Sequence, residues 1–373
     1  MKAIRNVFSI VTDCHTTRGH YGSLWRRHFY DGLRKVVDHL ITPDDLDFNW
    51  ARQSQSVGES ALQQERGRCA ELLWQQIQSA QRRIGLDAVL SYCFARDLDL
   101  DLIVRSIKHG ITWINFYCDS THRFGEVEAL AKMVSLNWFP ERAAIPRYRA
   151  LGVPFLCQPY ALNPDHLPDL SCDSAQHLVG FVGLPTSNRI TQLGCLRLLG
   201  CPVAIRGHGW IGPATTPFQN PNPGLFRRVK ALARRGFSEK FVRRCLWPLV
   251  RWQAGPGLSE NEFVEFVRRC RIMLGLNQGR DENGRLRSYL KFRDIEFPGY
   301  GCCYLTEHNQ DVTGIFDVGR EILTYHDIRE AAAKVREIRR EPDRLFKIGL
   351  AGRQRVLSRH TWETRIKQLA EAL

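Results

Sequence analysis

The sequence predicts the α/β class, with two domains that each contain a parallel sheet. In the first half of the chain, short apolar and β-branched runs alternate with helical segments, which is the pattern of βαβ units. The proline-containing stretch Pro159–Ala175 interrupts this alternation, and a second alternating series begins at His177. A chain of 373 residues is long for one domain and comfortable for two. We therefore expect two Rossmann-like domains that face each other across a cleft.

The N-terminal domain is expected to span residues 1–158, followed by a linker over residues 159–176. The long run without proline at Glu59–Ile84 predicts a helix, as do Ser23–Val37 and Leu98–His109. The strands of this domain are expected at Asn6–Thr12, Asp87–Cys93, Thr112–Cys118, Val134–Phe139 and Val153–Cys157.

The C-terminal domain is expected to span residues 177–360, with a last helix over residues 361–373. Ser187–Leu199 predicts a helix in which Ser187 is the N-cap, and further helices follow from Asp327. The strands of this domain are expected at His177–Val182, Pro202–Arg206, Arg271–Asn277, Cys302–Leu305 and Glu321–Tyr325.

The composition is that of a globular protein with an anionic partner. Hydrophobic residues make up 43% and charged residues 25%, and the net charge is +14. That charge fits a nucleotide, a membrane surface or a nucleic acid. The 12 cysteines contain no C-x-x-C pair, which excludes common zinc spacings and leaves them as small buried apolar residues of a reducing cytoplasm. No run is long enough for a signal peptide or a membrane span.

The segment Leu290–Glu307, LKFRDIEFPGYGCCYLTE, carries the strongest functional signal. A short basic amphipathic stretch meets a glycine turn at Gly301, and a buried strand follows, which is how an α/β sheet presents a helix end to a ligand. Glu296 is placed to reach sugar hydroxyls, whereas Lys291 and Arg293 are placed to reach phosphate.

This segment resembles the nucleotide-sugar site of GT-B glycosyltransferases. It is most similar to the branch with CgeB-like spore-maturation proteins, whose pattern runs roughly R-x-F-E-x-P-A-C-G-G-x-x-L-T-E. The resemblance to group 1 glycosyltransferases implies that Glu296 holds the nucleotide ribose through its two hydroxyls. It also implies that the last helix crosses back to the N-terminal domain. The first glutamate of the E-x7-E pattern of retaining enzymes would fall at Ser288, so the stereochemical outcome stays open.

Three other motifs complete the expected donor site. Gly183 and Arg189, in GFVGLPTSNR, follow a strand and open a helix whose amides attract a diphosphate. Asn277 ends a later strand. The motif RGHGW contributes Gly207, His208, Gly209 and Trp210, in which the glycines admit close backbone approach and the rings wall a base or sugar. The alternative for each motif is a structural turn, with Trp210 packed in the core.

The expected catalytic and acceptor residues lie in the N-terminal domain. The stretch DCHTTRGHY follows the first strand, where the resemblance places acceptor groups and a general base. Asp13 and His15 are the catalytic candidates there, and Asp119, at the end of the strongest strand, is the third. The acceptor-binding candidates are His20, Tyr21 and Gly22. The alternative is a capping aspartate with surface histidines.

The segment Phe226–Trp252 is the most basic part of the chain. Its positive side chains alternate with aromatic residues, which is typical of a helix that lies on an anionic membrane. The alternative is a solvated basic face whose aromatic residues enter the core. Residues 226–252 are therefore expected to form an insertion that docks on a membrane or a lipid-borne acceptor.

The sequence as a whole favours a cytoplasmic glycosyltransferase, peripheral to the membrane, that acts in cell-surface glycoconjugate synthesis. It would move a sugar from a nucleotide-diphosphate sugar to a glycan, lipid-linked or protein acceptor. Neither a metal site nor a cofactor is expected, because the nucleotide sugar is a substrate. Two alternatives stay open: a sugar-nucleotide epimerase of the same fold, and a basic nucleic-acid-binding protein, which the ordered α/β pattern disfavours.

Overall fold

The computed structural model describes residues 3–11, 25–44, 59–118, 121, 123–169, 177–210, 239–280 and 285–373. The candidates Asp13, His15, His20, Tyr21, Gly22 and Asp119 lie outside these described residues. The chain divides into two units. The first comprises residues 1–167, 280–291 and 356–373, and the second comprises residues 168–279 and 292–355.

The first unit contains a six-stranded sheet whose strands all run parallel. The strands are β1 (Asn6–Val11), β2 (His39–Ile41), β3 (Ala88–Tyr92), β4 (Thr112–Phe116), β5 (Leu136–Phe139) and β6 (Phe155–Cys157), in the order β2-β1-β3-β4-β5-β6. A π-helical segment (Trp25–Tyr30) precedes α1 (Asp31–Arg34), and the other helices are α2 (Glu59–Ile84), α3 (Leu100–Lys108), α4 (Phe124–Ala131) and α5 (Ile145–Leu151). The strands are almost continuously apolar because helices cover the sheet.

The second unit contains a five-stranded parallel sheet. Its strands are β7 (His177–Val182), β8 (Ala204–Arg206), β9 (Cys270–Leu274), β12 (Cys303–Glu307) and β13 (Leu323–Tyr325), in the order β13-β12-β9-β7-β8. The helices are α6 (Ser187–Leu198), α7 (Glu239–Arg251), α8 (Glu260–Arg268), α9 (Arg293–Gly299), α10 (Gln310–Ile315), α11 (Ile328–Ile338) and α12 (Pro342–Arg359). Two further short strands are β10 (Gln278–Arg280) and β11 (Leu286–Ser288), and β11 belongs to the first unit.

The strand order reverses direction once in each sheet. The reversal lies between β1 and β3 in the first sheet and between β7 and β9 in the second. Ligands of open α/β sheets bind outside the carboxyl ends of the strands at such a reversal. In the second unit, residues 183–189 follow β7 and residues 275–277 follow β9. The described residues therefore include both segments beside this reversal.

The end of the chain belongs to the first unit. The last helix, α13 (Trp362–Ala372), follows a bridge between Thr361 and Leu162. Trp362 is 1% exposed, and its ring packs edge-on against Phe29 and Trp138 with centroids 4.7 and 5.8 Å away. Its indole N–H donates to the carbonyl oxygen of His28. Residues far apart in sequence therefore complete this core.

Most expected elements are present, with three differences. The predicted helix Ser23–Val37 is a π-helical segment followed by a single α-helical turn. The N-cap of α6 is Thr186 rather than Ser187, because the Thr186 hydroxyl accepts a bond from the Arg189 amide at 3.4 Å. The helix in the segment 290–307 begins at Arg293, so Lys291 precedes it.

Candidate nucleotide-sugar site

The turn after β7 is held by close backbone contact with the turn after β8. The Gly183 amide donates to the Arg206 carbonyl at 3.0 Å, and the Trp210 indole donates to the Gly183 carbonyl at 2.6 Å. Gly207 has φ +146°, and a Cβ there would overlap the Gly183 carbonyl. Gly207 is thus required where two turns meet, and the close approach predicted for it is to protein backbone.

Two guanidinium groups converge on Gly183. A Cβ at this glycine would lie 3.1 Å from an Arg189 nitrogen and 3.4 Å from an Arg293 nitrogen. Arg189 donates to the carbonyls of Leu184 at 3.1 Å and Leu276 at 3.2 Å, and Arg293 donates to that of Val182 at 3.0 Å. These bonds hold two positive charges beside the first turn of α6, where a helix N-terminus already favours an anion.

A buried polar network begins at Asn277, which is 2% exposed. Its amide nitrogen donates to both carboxylate oxygens of Asp294, at 2.8 and 2.9 Å. Asp294 is fully buried and also accepts from the hydroxyls of Tyr304 at 2.8 Å and Thr306 at 3.3 Å. Charge-assisted bonds of this kind are about twice as strong as neutral ones, so Asn277 is held in one orientation.

The network continues through Glu307 to α6. The Glu307 carboxylate, 2% exposed, accepts from the Asn277 main-chain amide at 2.6 Å and from the Gln192 side chain at 3.2 Å. Gln192 and Asn188 both donate to the side-chain oxygen of Gln278 at 3.0 Å. The two buried carboxylates, Asp294 and Glu307, thus bracket Asn277 at the carboxyl edge of the sheet.

The tyrosine hydroxyls beside this edge are fixed donors. Burial raises the pKa of Tyr304 well above its ordinary value, and the nearby Asp294 carboxylate raises it further. Burial likewise raises the pKa of Tyr325, whose hydroxyl donates to the Gly275 carbonyl at 2.9 Å. Both hydroxyls therefore keep their protons at any ordinary pH.

Glu296 is 3% exposed and lies in the first turn of α9, together with Arg293 and Asp294. The turn that ends α9 is packed against α12, because a Cβ at Gly349 would overlap the Gly301 carbonyl. Lys291, whose ammonium lies 5.4 Å from the Tyr289 ring centroid, belongs to the first unit. Of the three charged residues expected in this segment, the second unit therefore contains Arg293 and Glu296.

Within the RGHGW motif, Trp210 is buried, whereas His208 and Gly209 are exposed. Trp210 has no exposed surface; it stacks on Trp247 with centroids 6.0 Å apart and packs edge-on to Phe181. Its expected place as the wall of a ligand site is wrong, because the ring fills the core below the Gly183 turn. His208 and Gly209 lie on the exposed turn, and the His208 ring lies against Gly257.

In the basic segment, the structure describes the side chains of residues 245–252, at the end of α7 and just beyond it. Leu246, Leu249 and Val250 are buried, and α7 packs against α6. These three residues are therefore core residues, and the membrane-docking face stays a prediction for the rest of the segment. Trp252 remains 47% exposed, with the Arg197 guanidinium 5.2 Å from its ring centroid. Residues 226–238 lie outside the described residues.

Most of the described cysteines are buried packing residues, as expected. The ten described cysteines form no disulfide. Burial raises the pKa of Cys270 and of Cys303 to about 12, so both thiols stay protonated.

Within the described ranges, His, Cys, Asp and Glu side chains form no group of three or more that could hold a metal ion. No helix in these ranges is long and apolar enough to cross a bilayer.

Sequence reasoning missed several residues of the network, namely Asp294, Gln192, Gln278, Tyr304, Thr306 and Glu307. A signal was present for two of them, because the CgeB-like pattern ends in T-E, at Thr306 and Glu307. Asp294 had no comparable signal, since its partners lie on β12 and in the turn after β9, which the sequence does not bring together.

Comparison with known proteins agrees with the fold. Residues 225–371 match a family described as glycosyl transferase-like, which is less than half of the chain. No curated protein matches the sequence. Similar structures include sucrose-phosphate synthase of Thermosynechococcus elongatus (11% identity, 98% of each chain covered, TM-score 0.58) and a glycosyltransferase of Rickettsia africae (9% identity, 98% of this chain and 97% of that chain covered, TM-score 0.58).

A third similar structure is HepE of Anabaena in complex with UDP-glucose (11% identity, 98% of this chain and 100% of that chain covered, TM-score 0.58). Structural similarity at such low sequence identity establishes the fold alone. This similarity confirms the predicted α/β class with two Rossmann-like units. Residues 225–371 thus match a glycosyl transferase-like family, and the chain as a whole has the two-domain α/β fold that GT-B glycosyltransferases share.

Proposed function

We propose that this chain transfers a sugar from a nucleotide-diphosphate sugar to a glycan, lipid-linked or protein acceptor. The observation that carries the proposal is the convergence of Arg189 and Arg293 on Gly183 at the strand reversal of the second sheet. The glycosyl transferase-like match over residues 225–371 supports it, as do the complexes of similarly folded HepE with UDP and UDP-glucose.

The two arginines suit a reaction in which a nucleoside diphosphate leaves. Negative charge grows on the diphosphate as the bond to the sugar breaks, and cations fixed beforehand stabilise it without reorganising. Main-chain carbonyls fix both guanidinium groups here. In this proposal Glu296 accepts hydrogen bonds from the ribose hydroxyls, since a carboxylate accepts two at once.

Binding measurements on matched arginine variants test the donor site. A thermal-shift screen against UDP-, GDP-, ADP- and CMP-sugars first finds the nucleotide. Arg189→Met and Arg293→Met should each then weaken it roughly tenfold to a hundredfold, as expected for a lost charge-assisted bond. Arg197→Met is the control, because Arg197 lies on the same helix α6 but against Trp252. Donor affinity that is unchanged in both variants would refute the site.

The acceptor base is proposed among Asp13, His15 and Asp119, with His20, Tyr21 and Gly22 beside the acceptor. Thr121, two residues after Asp119, donates its amide and hydroxyl to the Glu141 carboxylate at 2.7 and 2.6 Å. Removing the base should lower turnover and leave donor affinity nearly intact.

Release of free nucleotide only when an acceptor is present would separate a transferase from a sugar-nucleotide epimerase.

The finer assignment is to the CgeB-like group, acting in glycoconjugate synthesis at the cytoplasmic face of a membrane. The basic residues 226–238 support it, at about 1 kcal/mol for each lysine or arginine near an anionic surface. Sedimentation with anionic and neutral liposomes across a salt series tests it, since such attachment weakens with salt. Reversal of Arg227, Arg228, Arg234 and Arg235 to Glu should abolish pelleting, whereas equal pelleting with both liposomes would refute it.

A further inference from the structure

Two side-chain amides in the second unit have their nitrogens committed to carboxylates. Asn277 donates to both oxygens of Asp294 at 2.8 and 2.9 Å, and Gln192 donates to Glu307 at 3.2 Å. The reverse orientation would bring an amide oxygen against a carboxylate, where two acceptors repel. The carboxylates therefore decide which way each amide points.

The oxygens of the same two amides are left without donors. Asn277 Oδ1 and Gln192 Oε1 are buried and accept no hydrogen bond from the part of the chain that is described. Buried polar atoms are nearly always paired, and leaving an acceptor unpaired costs free energy. Two unpaired oxygens in one network, both fixed by carboxylates, indicate that their donors come from a ligand.

The position of these oxygens identifies the part of the ligand. Asn277 follows the residue whose carbonyl accepts from Arg189, and Gln192 lies one turn beyond Arg189 on α6. Phosphate oxygens suit the arginines at Gly183, but they cannot donate to a carbonyl oxygen. Hydroxyl groups can, and a nucleotide sugar carries them on its pentose and its hexose.

We propose that Asn277 Oδ1 and Gln192 Oε1 accept hydrogen bonds from sugar hydroxyls of the donor, and that Asp294 and Glu307 are positioning residues that fix the two amides for this purpose. The inference rests on the proposed function, which supplies the ligand. It divides the site into a cationic part for the diphosphate and an acceptor-rich part for hydroxyls. A site built to pair with hydroxyls discriminates strongly against ligands that lack them.

The test measures the affinity of three probes by calorimetry: inorganic pyrophosphate, UDP and UDP-glucose. If the screen above finds another nucleotide, its free and sugar-linked forms replace the last two. Asn277→Ala and Gln192→Ala should each weaken a hydroxyl-bearing probe roughly tenfold and leave pyrophosphate unchanged. If a variant already binds UDP more weakly, its amide oxygen pairs with a pentose hydroxyl. If only the affinity for UDP-glucose falls, the amide oxygen pairs with a hexose hydroxyl.

Two controls separate this role from a structural one. Asn188→Ala removes an amide of the same helix face that also donates to Gln278, and it should bind all three probes normally. Asp294→Asn keeps the shape of the side chain but removes the charge that orients Asn277. It should therefore weaken UDP-glucose and not pyrophosphate.

The outcomes distinguish this inference from the proposed function. If the alanine variants bind every probe as tightly as the wild type, or lose pyrophosphate and UDP-glucose equally, the inference is wrong and the donor site stands. If the wild-type protein binds no nucleotide or nucleotide sugar, the proposed function falls and the inference falls with it. Where Asn277→Ala does not fold, Gln192→Ala alone decides, because Gln192 is only half-buried.

Discussion

At the scale of single residues, Arg365 is a charged side chain buried in the first unit. It is fully buried on α13, and its guanidinium lies 5.7 Å from the ring centroid of Trp138. One nitrogen donates to Gln158 at 3.2 Å and to Gln368, whereas Nε and Nη2 have no partner among the described residues. Burial lowers the pKa of Arg365 to about 9.

We expect Arg365→Met to stabilise the protein at neutral pH. An apolar side chain of similar length removes the cost of a buried charge, and comparable replacements gain about 1–4 kcal/mol. The folded-state pKa of about 9 lies below the ordinary 12.5, so the unfolded chain binds more protons between these values. The free-energy cost of burying the charged guanidinium is therefore largest below pH 9 and decreases as the pH rises above 9.

Urea unfolding at neutral pH and at about pH 10 checks both parts of this prediction. The gain of Arg365→Met should be larger at neutral pH. Arg359→Met, which replaces an exposed arginine near the same end of the chain, should change little at either pH. A destabilised Arg365→Met at neutral pH would mean that the glutamine bonds and the tryptophan contact outweigh the buried charge.

At the scale of elements, the glycines of α12 set the position of α9. A Cβ at Gly349 would overlap the Gly301 carbonyl, and a Cβ at Gly352 would overlap that of Glu321. The helix can therefore lie directly against the turn that follows Glu296 and Pro298. Packing at this density leaves no room for an added methyl group.

Gly349→Ala should displace this turn and weaken nucleotide-sugar binding as well as stability. Alanine normally stabilises a helix relative to glycine by roughly 0.5–1 kcal/mol, so a net loss isolates the steric effect. Gly67→Ala on α2 is the control, because its Cβ would have nothing within 4 Å, and it should be neutral or stabilising. Melting temperature and donor affinity are the measurements. A stabilised Gly349→Ala would show that α12 can move away without cost.

The elements that could be predicted are those with strong local patterns. Glu59–Ile84 has no proline and was predicted with the bounds that α2 has, and the apolar run before Gly183 was predicted as β7. The π-helical segment, β2 and the short strands β10 and β11 have no distinctive period, since a strand of three residues is too short to show one. The helix α8 begins with a capping box of Ser259 and Glu262, which is a local sequence signal for the start of a helix.

The candidate site was predictable where one residue type implies one chemistry. Arg189 and Arg293 were predicted to meet a diphosphate, and the structure brings them to the same glycine. Trp210 illustrates the limit, because a tryptophan in a glycine-rich turn suits a ligand or a core, and only tertiary packing decides. The hydrogen bonds of Asp294 could not be predicted either, because they join side chains up to 17 positions away that only tertiary packing brings together.

At the scale of the whole molecule, each of the two units is built on a parallel sheet. The chain closes the first of them with residues from its own end, as Trp362 shows. Trp362 packs on Phe29 and Trp138 and donates to the His28 carbonyl, so it connects the π-helical segment with the sheet. The core of the first unit is therefore complete only when α13 packs against it.

We expect Trp362→Ala to loosen the first unit selectively. Truncating a fully buried tryptophan to alanine costs about 3–5 kcal/mol, because the lost contacts leave a cavity. Hydrogen exchange followed by mass spectrometry should show faster exchange in Trp25–Arg34 and in β4 to β6, while β7, β9 and β12 stay protected. Trp252→Ala is the matched control, since that tryptophan is 47% exposed and should change exchange in neither sheet. Equal loss of protection in both sheets would show that the two units unfold as one, and unchanged protection in the first sheet would show that α13 adds no stability to it.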